Sequence, residues 1–340
     1  MNTSTRLTTL IICFLLLLTA GCGAGAGSGG GSNASGTDPA ASSSPTEADA
    51  VKTIQHGLGT TEIKGTPKRI VVLEWTYAED LLALGIQPVG VADIAGYNKW
   101  VNVQPKLAAN VVDVGTRQEP NLEVITGLKP DLIITAAFRA KNSYDRLKAI
   151  APTLAFDPYP PEGSIDQYSE MEQTFKTIAD VVGKRAEADK VLSDLHKSYE
   201  SAKEKLKAAN KEGAQFVLTQ AFSNQNAAAL RLFTDNSMAV QILQRIGLKN
   251  AYKSSKFEIY GYSDATVEAL VSVQNANFLY VVQDSDNVFE NQLKNNAVWN
   301  GLNFVKEKRT YPLGGDTWLF GGPLSAKLFV EKTVQLLTTK

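Results

Sequence analysis

The chain has 340 residues, of which 44% are hydrophobic, and a formal net charge of -1. That length allows roughly two domains with real cores, and the near balance of acidic and basic residues gives no reason to expect nucleic acid as a partner. Two histidines, His56 and His196, lie far apart, and both cysteines, Cys13 and Cys22, precede residue 23. The folded part therefore offers no disulfide, no thiolate nucleophile and no clustered His or Cys site for a metal.

Residues 1–21 are typical of an export signal. Arg6 precedes the apolar run 10–18, which is too short for a membrane span. The sequence Leu-Thr-Ala-Gly-Cys that ends at Cys22 resembles a bacterial lipobox, so we expect cleavage before Cys22 and lipidation of its thiol. The alternative is an ordinary cleaved signal peptide in which Cys22 has no role. Residues 22–50, rich in Gly, Ala and Ser, predict a flexible tether with a reach of about 30 Å.

The segment 51–165 alternates short apolar strands with helices. The predicted strands are 69–73, 89–91, 111–114 and 131–135. The predicted helices are 78–84 and 122–128. Strands this apolar, each followed by a helix, indicate a parallel sheet that is covered on both faces. We interpret this segment as an N-terminal α/β lobe.

Residues 166–210 carry helical periodicity without strand signals, and Gly183 interrupts it. The part from 184 to 209 predicts one helix of roughly 35–40 Å, which favours a strut between lobes over a coiled-coil arm. The α/β pattern resumes over 211–340, with strands at 215–219, 278–282 and 310–311 and helices at 238–246 and 323–337. The predicted fold class is α/β, with two Rossmann-like lobes joined by a single long helix and a ligand cleft between them.

Common catalytic motifs are absent from the sequence. We find no G-x-S-x-G, H-E-x-x-H or G-x-x-x-x-G-K-[ST], and no G-x-G-x-x-G after a strand. We therefore do not expect an enzyme. An extracellular α/β hydrolase that uses a pair of carboxylates remains the alternative from that class.

Aromatic and arginine residues recur just after the predicted strands. In open α/β sheets ligands bind at the carboxyl ends of strands, where arginines suit oxyanions and aromatics give flat apolar walls. Any one of these residues could be rim packing or a surface ion pair, but together they predict a cleft for an anionic, partly apolar ligand. The candidates are Trp75, Tyr77, Tyr97, Trp100, Arg117, Phe138, Arg139, Arg231, Phe233, Tyr260, Tyr262 and Trp318.

Four segments, at 68–74, 113–123, 128–134 and 317–326, resemble those of the iron(III)–siderophore binding proteins of ABC importers. The resemblance implies the helical-backbone periplasmic binding protein fold. It implies that Arg117 contacts iron-bound oxygens and that Trp318 forms a wall of the pocket. Tyr260 stands where the family has another tryptophan, and Tyr262 where it has a small hydroxyl residue. The same resemblance assigns Glu123 and Glu268, one in each lobe, to docking on the permease.

The resemblance also implies the partners and the place of action. We expect an extracytoplasmic monomer, lipid-anchored through Cys22 to the cell membrane of a Gram-positive bacterium, which delivers its ligand to an ABC permease and its ATPase. Phe138–Arg139 stands where the family has a tyrosine, and Arg231 adds a charge where hydroxamate binders are apolar. These arginines favour an anionic complex such as ferric citrate or a citrate-type or other hydroxamate. No cofactor is expected, because the siderophore coordinates the iron.

A haem- or corrinoid-binding protein of the same fold is the second ligand class. Haem usually takes an axial His, Met or Tyr, and Tyr97, Tyr260 or Tyr262 are the side chains that could serve.

Overall fold

The computed structural model describes residues 51–339. The predicted signal (1–21), Cys22 and the predicted tether (22–50) lie outside the described residues, so their interpretation stays a prediction. In the described part no helix is both long and apolar enough to cross a membrane.

The N-terminal lobe begins with an antiparallel hairpin that sequence analysis did not predict, and continues with alternating strands and helices. Its elements are β1 (Val51–His56), β2 (Gly59–Lys64), β3 (Ile70–Val72), α1 (Trp75–Ala83), β4 (Gly90–Val91), α2 (Ile94–Trp100), β5 (Val112–Asp113), α3 (Leu122–Gly127), β6 (Leu132–Ala136), α4 (Ala137–Ala140), α5 (Tyr144–Ile150) and β7 (Thr153–Phe156). Apart from the hairpin, the strands form a parallel sheet in the order β5-β4-β3-β6-β7.

Burial on both faces explains why these strands are continuously apolar. Ile70 and Val72 point into the main core, whereas Val71 and Leu73 point to a second cluster on the opposite face. Successive side chains of a strand alternate between faces, so a sheet covered on both sides needs an apolar residue at each position. The parallel sheet predicted for this lobe is confirmed.

Two helices connect the lobes, α6 (Gln167–Val181) and α7 (Arg185–Ala208). Gly183, with φ of +68°, separates them in a left-handed conformation that favours glycine. The 24 residues of α7 span about 36 Å, as the sequence predicted. Helix α6 packs against α1, which belongs to the first lobe, and against a helix of the second lobe.

The C-terminal lobe contains a mixed sheet. Its elements are β8 (Gln215–Asn224), β9 (Ala227–Phe233), α8 (Met238–Arg245), β10 (Lys249–Asn250), β11 (Tyr262–Ala265), a 3-10 helix (Val267–Val273), β12 (Asn277–Val281), a second 3-10 turn (Asp284–Asp286), α9 (Ala297–Gly301), α10 (Asn303–Lys306), β13 (Thr310–Pro312) and α11 (Pro323–Thr338). The sheet order is β11-β9-β8-β12-β13, with β10 beside β8.

Antiparallel pairing distinguishes this lobe from the first. Strands β9 and β11 pair antiparallel, and β9 forms a hairpin with β8, so the lobes are not close copies. The segment Val267–Val273, which contains Glu268, is a 3-10 helix. Helix α11 then packs on α1, α7 and α8, so that helices of both lobes share the main core.

Candidate functional site

A cavity of about 330 Å³ is lined by residues of both lobes and of α6. Ligand pockets usually hold 300–1,000 Å³ and combine apolar walls with a few polar groups, as this one does. The lining residues are Glu74, Thr76, Tyr77, Asp80, Arg117, Phe138, Arg139, Pro158, Tyr159, Gln167, Glu170, Met171, Thr174, Arg231, Met238, Tyr260, Tyr262, Trp318, Phe320 and Gly321.

Two arginines of the N-terminal lobe share one carboxylate, and we call Glu74, Arg117 and Arg139 the arginine wall. Glu74 caps α1 directly after β3, and its side chain is only 8% exposed. Arg117 Nη1 donates to Glu74 Oε1 at 2.7 Å, and Arg139 Nε donates to Glu74 Oε2. These three groups carry a net charge of +1, and Asp93, whose side chain is 34% exposed, lies 3.9 Å from Arg117 Nε through its Oδ2.

Local structure holds each arginine at the wall. Arg117 lies in a turn after β5 that depends on Gly115, whose φ is +93°. Its Cζ stands 3.5 Å from the ring centroid of Trp75, a cation–π distance. Within residues 51–339 the Arg117 side chain makes one hydrogen bond, from Nη1 to Glu74. Its Nη2 is therefore free to donate to a ligand.

Arg231 supplies positive charge from the C-terminal lobe. It projects from β9, where its Nη1 donates to Gln220 Oε1 at 3.0 Å. Its Cζ lies 4.6 Å from the ring centroid of Tyr262 and 5.1 Å from that of Phe222. In the described part of the chain no carboxylate forms an ion pair with Arg231, so its charge is available to an anionic ligand.

Aromatic rings from both lobes meet over the cavity, and we call Phe138, Tyr159 and Tyr260 the aromatic rim. The ring centroids of Tyr159 and Tyr260 lie 5.0 Å apart, and those of Phe138 and Tyr260 lie 6.4 Å apart. Phe138 is 41% exposed and Tyr260 is 45% exposed, unusual values for large apolar rings in contact with each other. The rim gives the ligand flat apolar surfaces at the mouth of the cavity.

Acidic and phenolic groups line another part of the cavity, and we call Tyr77, Asp80 and Glu170 the floor. Burial raises the pKa of Asp80 well above its usual value, and neighbouring Glu79 and Glu170 raise it further. Burial likewise raises the pKa of Glu170 to about 7, although Thr174 Oγ1 donates to its Oε1 at 2.5 Å. The hydroxyl of Tyr77 is buried and has no hydrogen-bond partner among residues 51–339.

Eight of the candidates that sequence analysis proposed lie on the cavity. They come from seven elements or loops and include every arginine among the candidates. They are Tyr77, Arg117, Phe138, Arg139, Arg231, Tyr260, Tyr262 and Trp318.

Four other candidates do not line the cavity, and their placement on its surface is wrong. Trp75 is 2% exposed, and its indole Nε1 donates to the backbone oxygens of Ala92 and Asp93 at 3.2 Å each. Tyr97 is buried behind Trp75, and the ring of Trp100 packs against Trp318. Phe233 is buried behind Tyr262 and Phe320. These rings support the residues that face the ligand.

The strand-end rule, by which ligand-binding side chains come just after strands, holds for some candidates and not for others. Trp75 and Tyr77 follow β3 in the first turn of α1, and Arg139 follows β6 in α4. Arg231 and Phe233 lie within β9. Side chains alternate along β9, so Arg231 can face the cavity from inside a strand.

Sequence analysis missed the carboxylates of the site. Glu74 follows β3 as directly as Trp75 does, so the strand-end rule could have included it. Asp80 and Glu170 carried no comparable signal, because each looked like a charged position on an amphipathic helix. Within residues 51–339 no group of three or more His, Cys, Asp or Glu side chains is arranged to hold a metal ion.

The two proposed docking residues lie away from the cavity lining. Glu123 is exposed in the first turn of α3, where Asn121 caps the helix. Glu268 is exposed at the start of the 3-10 helix, where a hydrogen bond from Thr266 lowers its pKa. Neither carboxylate forms an ion pair within the described residues, so both are open to a partner.

Known proteins resemble this chain over most of its length. The family model described as periplasmic binding protein matches residues 70–317. The chain is 33% identical over 279 residues to the Fe(3+)-citrate-binding protein YfmC of Bacillus subtilis strain 168, which covers 81% of this chain and 82% of that protein. It is 30% identical over 265 residues to the iron(3+)-hydroxamate-binding protein FhuD of Escherichia coli strain K12, covering 78% and 85%.

A solved structure agrees in fold. The Fe3+–Desferal-bound siderophore binding protein FhuD from Vibrio cholerae superposes with a TM-score of 0.71 at 28% identity. The superposition covers 80% of this chain and 98% of that one.

Proposed function

Because the chain belongs to the periplasmic binding protein family, we propose that it captures an iron(III)–siderophore outside the cytoplasm for an ABC importer. It would deliver the complex to a membrane permease and its ATPase. The family indicated by the sequence motifs is confirmed, as is the two-lobed α/β fold. Members of this family bind solutes, so the chain is a binding protein and not an enzyme.

One observation carries the proposed ligand class. Arg117, Arg139 and Arg231 reach a single cavity from both lobes. Among the described residues Glu74 is the one carboxylate that hydrogen-bonds to them, and Asp93 lies 3.9 Å from Arg117 Nε. Guanidinium groups bind carboxylate and other chelating oxygens through paired, charge-assisted hydrogen bonds. An anionic ferric complex, either ferric citrate or a citrate-type or other hydroxamate, therefore fits this cavity best.

The chemistry required of the protein is recognition alone. The siderophore coordinates the iron, while the arginines bind its charged oxygens and Trp318, Tyr262 and the aromatic rim cover its apolar parts. The protein thus supplies no ligand to the metal and needs no resident cofactor. Lipid anchoring through Cys22 to the membrane of a Gram-positive bacterium, and action as a monomer, complete the proposal.

Arg117→Ala is expected to weaken binding of the ferric ligand by about ten- to hundredfold. A charge-assisted hydrogen bond contributes about 1.5–3 kcal/mol, and each 1.4 kcal/mol is a factor of ten in affinity. Calorimetric titration of the tightest-binding ferric complex measures the change. Arg185→Ala, which removes an exposed arginine from α7, is the matched control and should bind normally. Unchanged affinity in a folded Arg117→Ala protein would remove Arg117 from the site.

Charge reversal at Glu123 and Glu268 is expected to abolish uptake without affecting ligand binding. Both carboxylates are exposed and unpaired within residues 51–339, as a docking contact to basic permease residues requires. Uptake of radioactive iron is measured in cells whose one copy of this protein carries both Glu123→Arg and Glu268→Arg. The control cells carry Glu204→Arg, which changes an exposed carboxylate of α7. Normal uptake by the double variant would show that these residues do not dock.

A further inference from the structure

The floor of the cavity is acidic, and two of its three members have no hydrogen-bond partner among the described residues. Asp80 is 1% exposed, and its carboxylate makes no hydrogen bond within residues 51–339. The Tyr77 hydroxyl, equally buried, is also without a partner. Tyr77 and Asp80 are three residues apart on α1, so they share the face that lines the cavity. Glu170 joins them from α6.

Buried groups of this kind are costly unless something satisfies them. A buried carboxylate loses its hydration, and an unsatisfied buried polar atom costs free energy as well. Glu79, next to Asp80, is satisfied, because the backbone N–H of Ser325 donates to its Oε1 at 2.7 Å. No described residue donates a hydrogen bond to Asp80 in this way, so packing within the fold does not explain why this carboxylate is buried.

No cation of the protein neutralises the floor. Among the described residues no Lys, Arg or His forms an ion pair with Asp80 or Glu170. The two arginines of the N-terminal lobe are both held by Glu74. The charged groups that act most strongly on the floor are themselves acidic: Glu79 on α1, Glu74 at the start of α1, and Asp157 before α6.

The space around Asp80 is shaped by backbone without side chains. A Cβ on Gly322 would clash with Asp80 Oδ1, and a Cβ on Gly321 would lie 2.6 Å from Glu79 Oε2. Gly321 itself lines the cavity. The chain therefore brings bare backbone against both carboxylates, at positions where a side chain would not fit.

We propose that Asp80, Glu170 and Tyr77 form a subsite for a protonated amine on the ligand. The ligand then has two ends: the chelating oxygens around its iron meet the arginines, and an alkylammonium group reaches the floor. An ammonium offers three N–H donors, which match the two carboxylates and the phenol oxygen. This inference rests on the proposed function and narrows it to ferric complexes that carry an amine.

The pH dependence of binding follows from the charges at the floor. The titratable groups near Asp80 and Glu170 are Tyr77 and Glu79 on α1, Glu74 before it, Tyr97 on α2, and Asp157 and Tyr159 before α6. An ammonium binds best when Asp80 and Glu170 are ionised. Affinity for an amine-bearing complex should therefore rise between pH 6 and pH 8, whereas that for an amine-free complex should not.

A matched pair of ligands tests the subsite. Ferric desferrioxamine B carries a free terminal ammonium, and its N-acetylated form has the same iron coordination without that charge. We expect the protein to bind the ammonium form at least tenfold more tightly, and the double variant Asp80→Asn/Glu170→Gln to lose that preference. Glu172→Gln, which changes a carboxylate of α6 that pairs with His196 instead, is the control and should keep it.

The outcomes separate the subsite from the proposed function. Equal affinity for the two forms, or a preference that survives in the double variant, overturns the subsite while the proposed function stands. Binding of ferric citrate with no binding of the ammonium form overturns it as well. Failure of every ferric complex to bind overturns the proposed function itself. Thermal unfolding of the double variant confirms that it is folded before its affinities are compared.

Discussion

Glu74→Gln is expected to lower the free energy of unfolding of the ligand-free protein by about 3 kcal/mol. The substitution leaves Arg117 and Arg139 next to each other without their shared carboxylate. Their side chains are only 14% and 18% exposed, so water compensates little of the lost charge. Removing one partner of a buried ion pair typically costs about 3–5 kcal/mol, and the partial exposure here places the effect at the lower end.

The same substitution should change the response to ligand. The arginine wall then carries a net charge of +2 instead of +1, so an anionic ferric complex replaces the missing carboxylate. Chemical denaturation with and without saturating ferric complex measures both effects. We expect a larger ligand-induced gain in stability for Glu74→Gln than for the unaltered protein. Glu123→Gln, at an exposed and unpaired carboxylate, is the control. A Glu74→Gln protein as stable as the unaltered one would contradict the description of the wall.

Stability should fall with rising pH because of Glu170, by about 3 kcal/mol between pH 4.5 and pH 7. Burial raises the pKa of its carboxyl from 4.5 to about 7 in the folded protein. In that range the folded state keeps a proton that the unfolded state has released, so each pH unit costs about 1.4 kcal/mol. The loss is complete above the folded-state pKa. Asp80, whose pKa burial also raises, acts in the same direction.

Glu170→Gln removes this contribution and should flatten the pH dependence. The variant is expected to be more stable than the unaltered protein at pH 8 and about equal to it at pH 4.5. Denaturation at a series of pH values makes the comparison, with the exposed Glu204→Gln of α7 as the control. Parallel pH profiles for the unaltered protein and Glu170→Gln would show that the buried carboxyl is not protonated in the folded state.

The fold was predictable where one physical pattern dominates. The continuous apolar runs at β3 and β6 indicated a parallel sheet with both faces covered, and the periodicity after Gly183 gave α7 to within one residue at each end. The hairpin of β1 and β2 was missed because its side chains on one face are exposed and polar. The antiparallel strands depend on the pairing of β9 with β8 and of β11 with β9, which no local pattern encodes.

The site was predictable in location but not in orientation. Strand ends indicated where ligand-binding side chains collect, and the arginines and Trp318 do line the cavity. The rule cannot tell Trp318, which faces the cavity, from Trp75, which is buried beneath Arg117. Which of two neighbouring rings faces a ligand depends on tertiary packing around both of them.

The carboxylates of the site could not be read from the sequence for a related reason. A Glu or Asp on a helix is usually solvated, and only contact with another lobe or helix makes it buried. Glu170 is buried because α6 packs against α1. Glu74 acquires its role only when the turn after β5 and helix α4 bring their arginines to it. Long-range contacts therefore decide the charge balance of the cavity.

Titration with ferric complexes tests the central claim most directly. Tryptophan fluorescence reports on the cavity, since Trp318 lines it and Trp75 lies beneath Arg117. The ligands are ferric citrate, a ferric citrate-based dihydroxamate and a ferric trihydroxamate, with haem and each iron-free chelator as controls. We expect saturable quenching by at least one ferric complex, none by its iron-free form, and loss of most of the signal in Trp318→Phe. No response to any ferric complex, or an equal response to the iron-free chelator, would contradict the proposal that this cavity binds an iron(III)–siderophore.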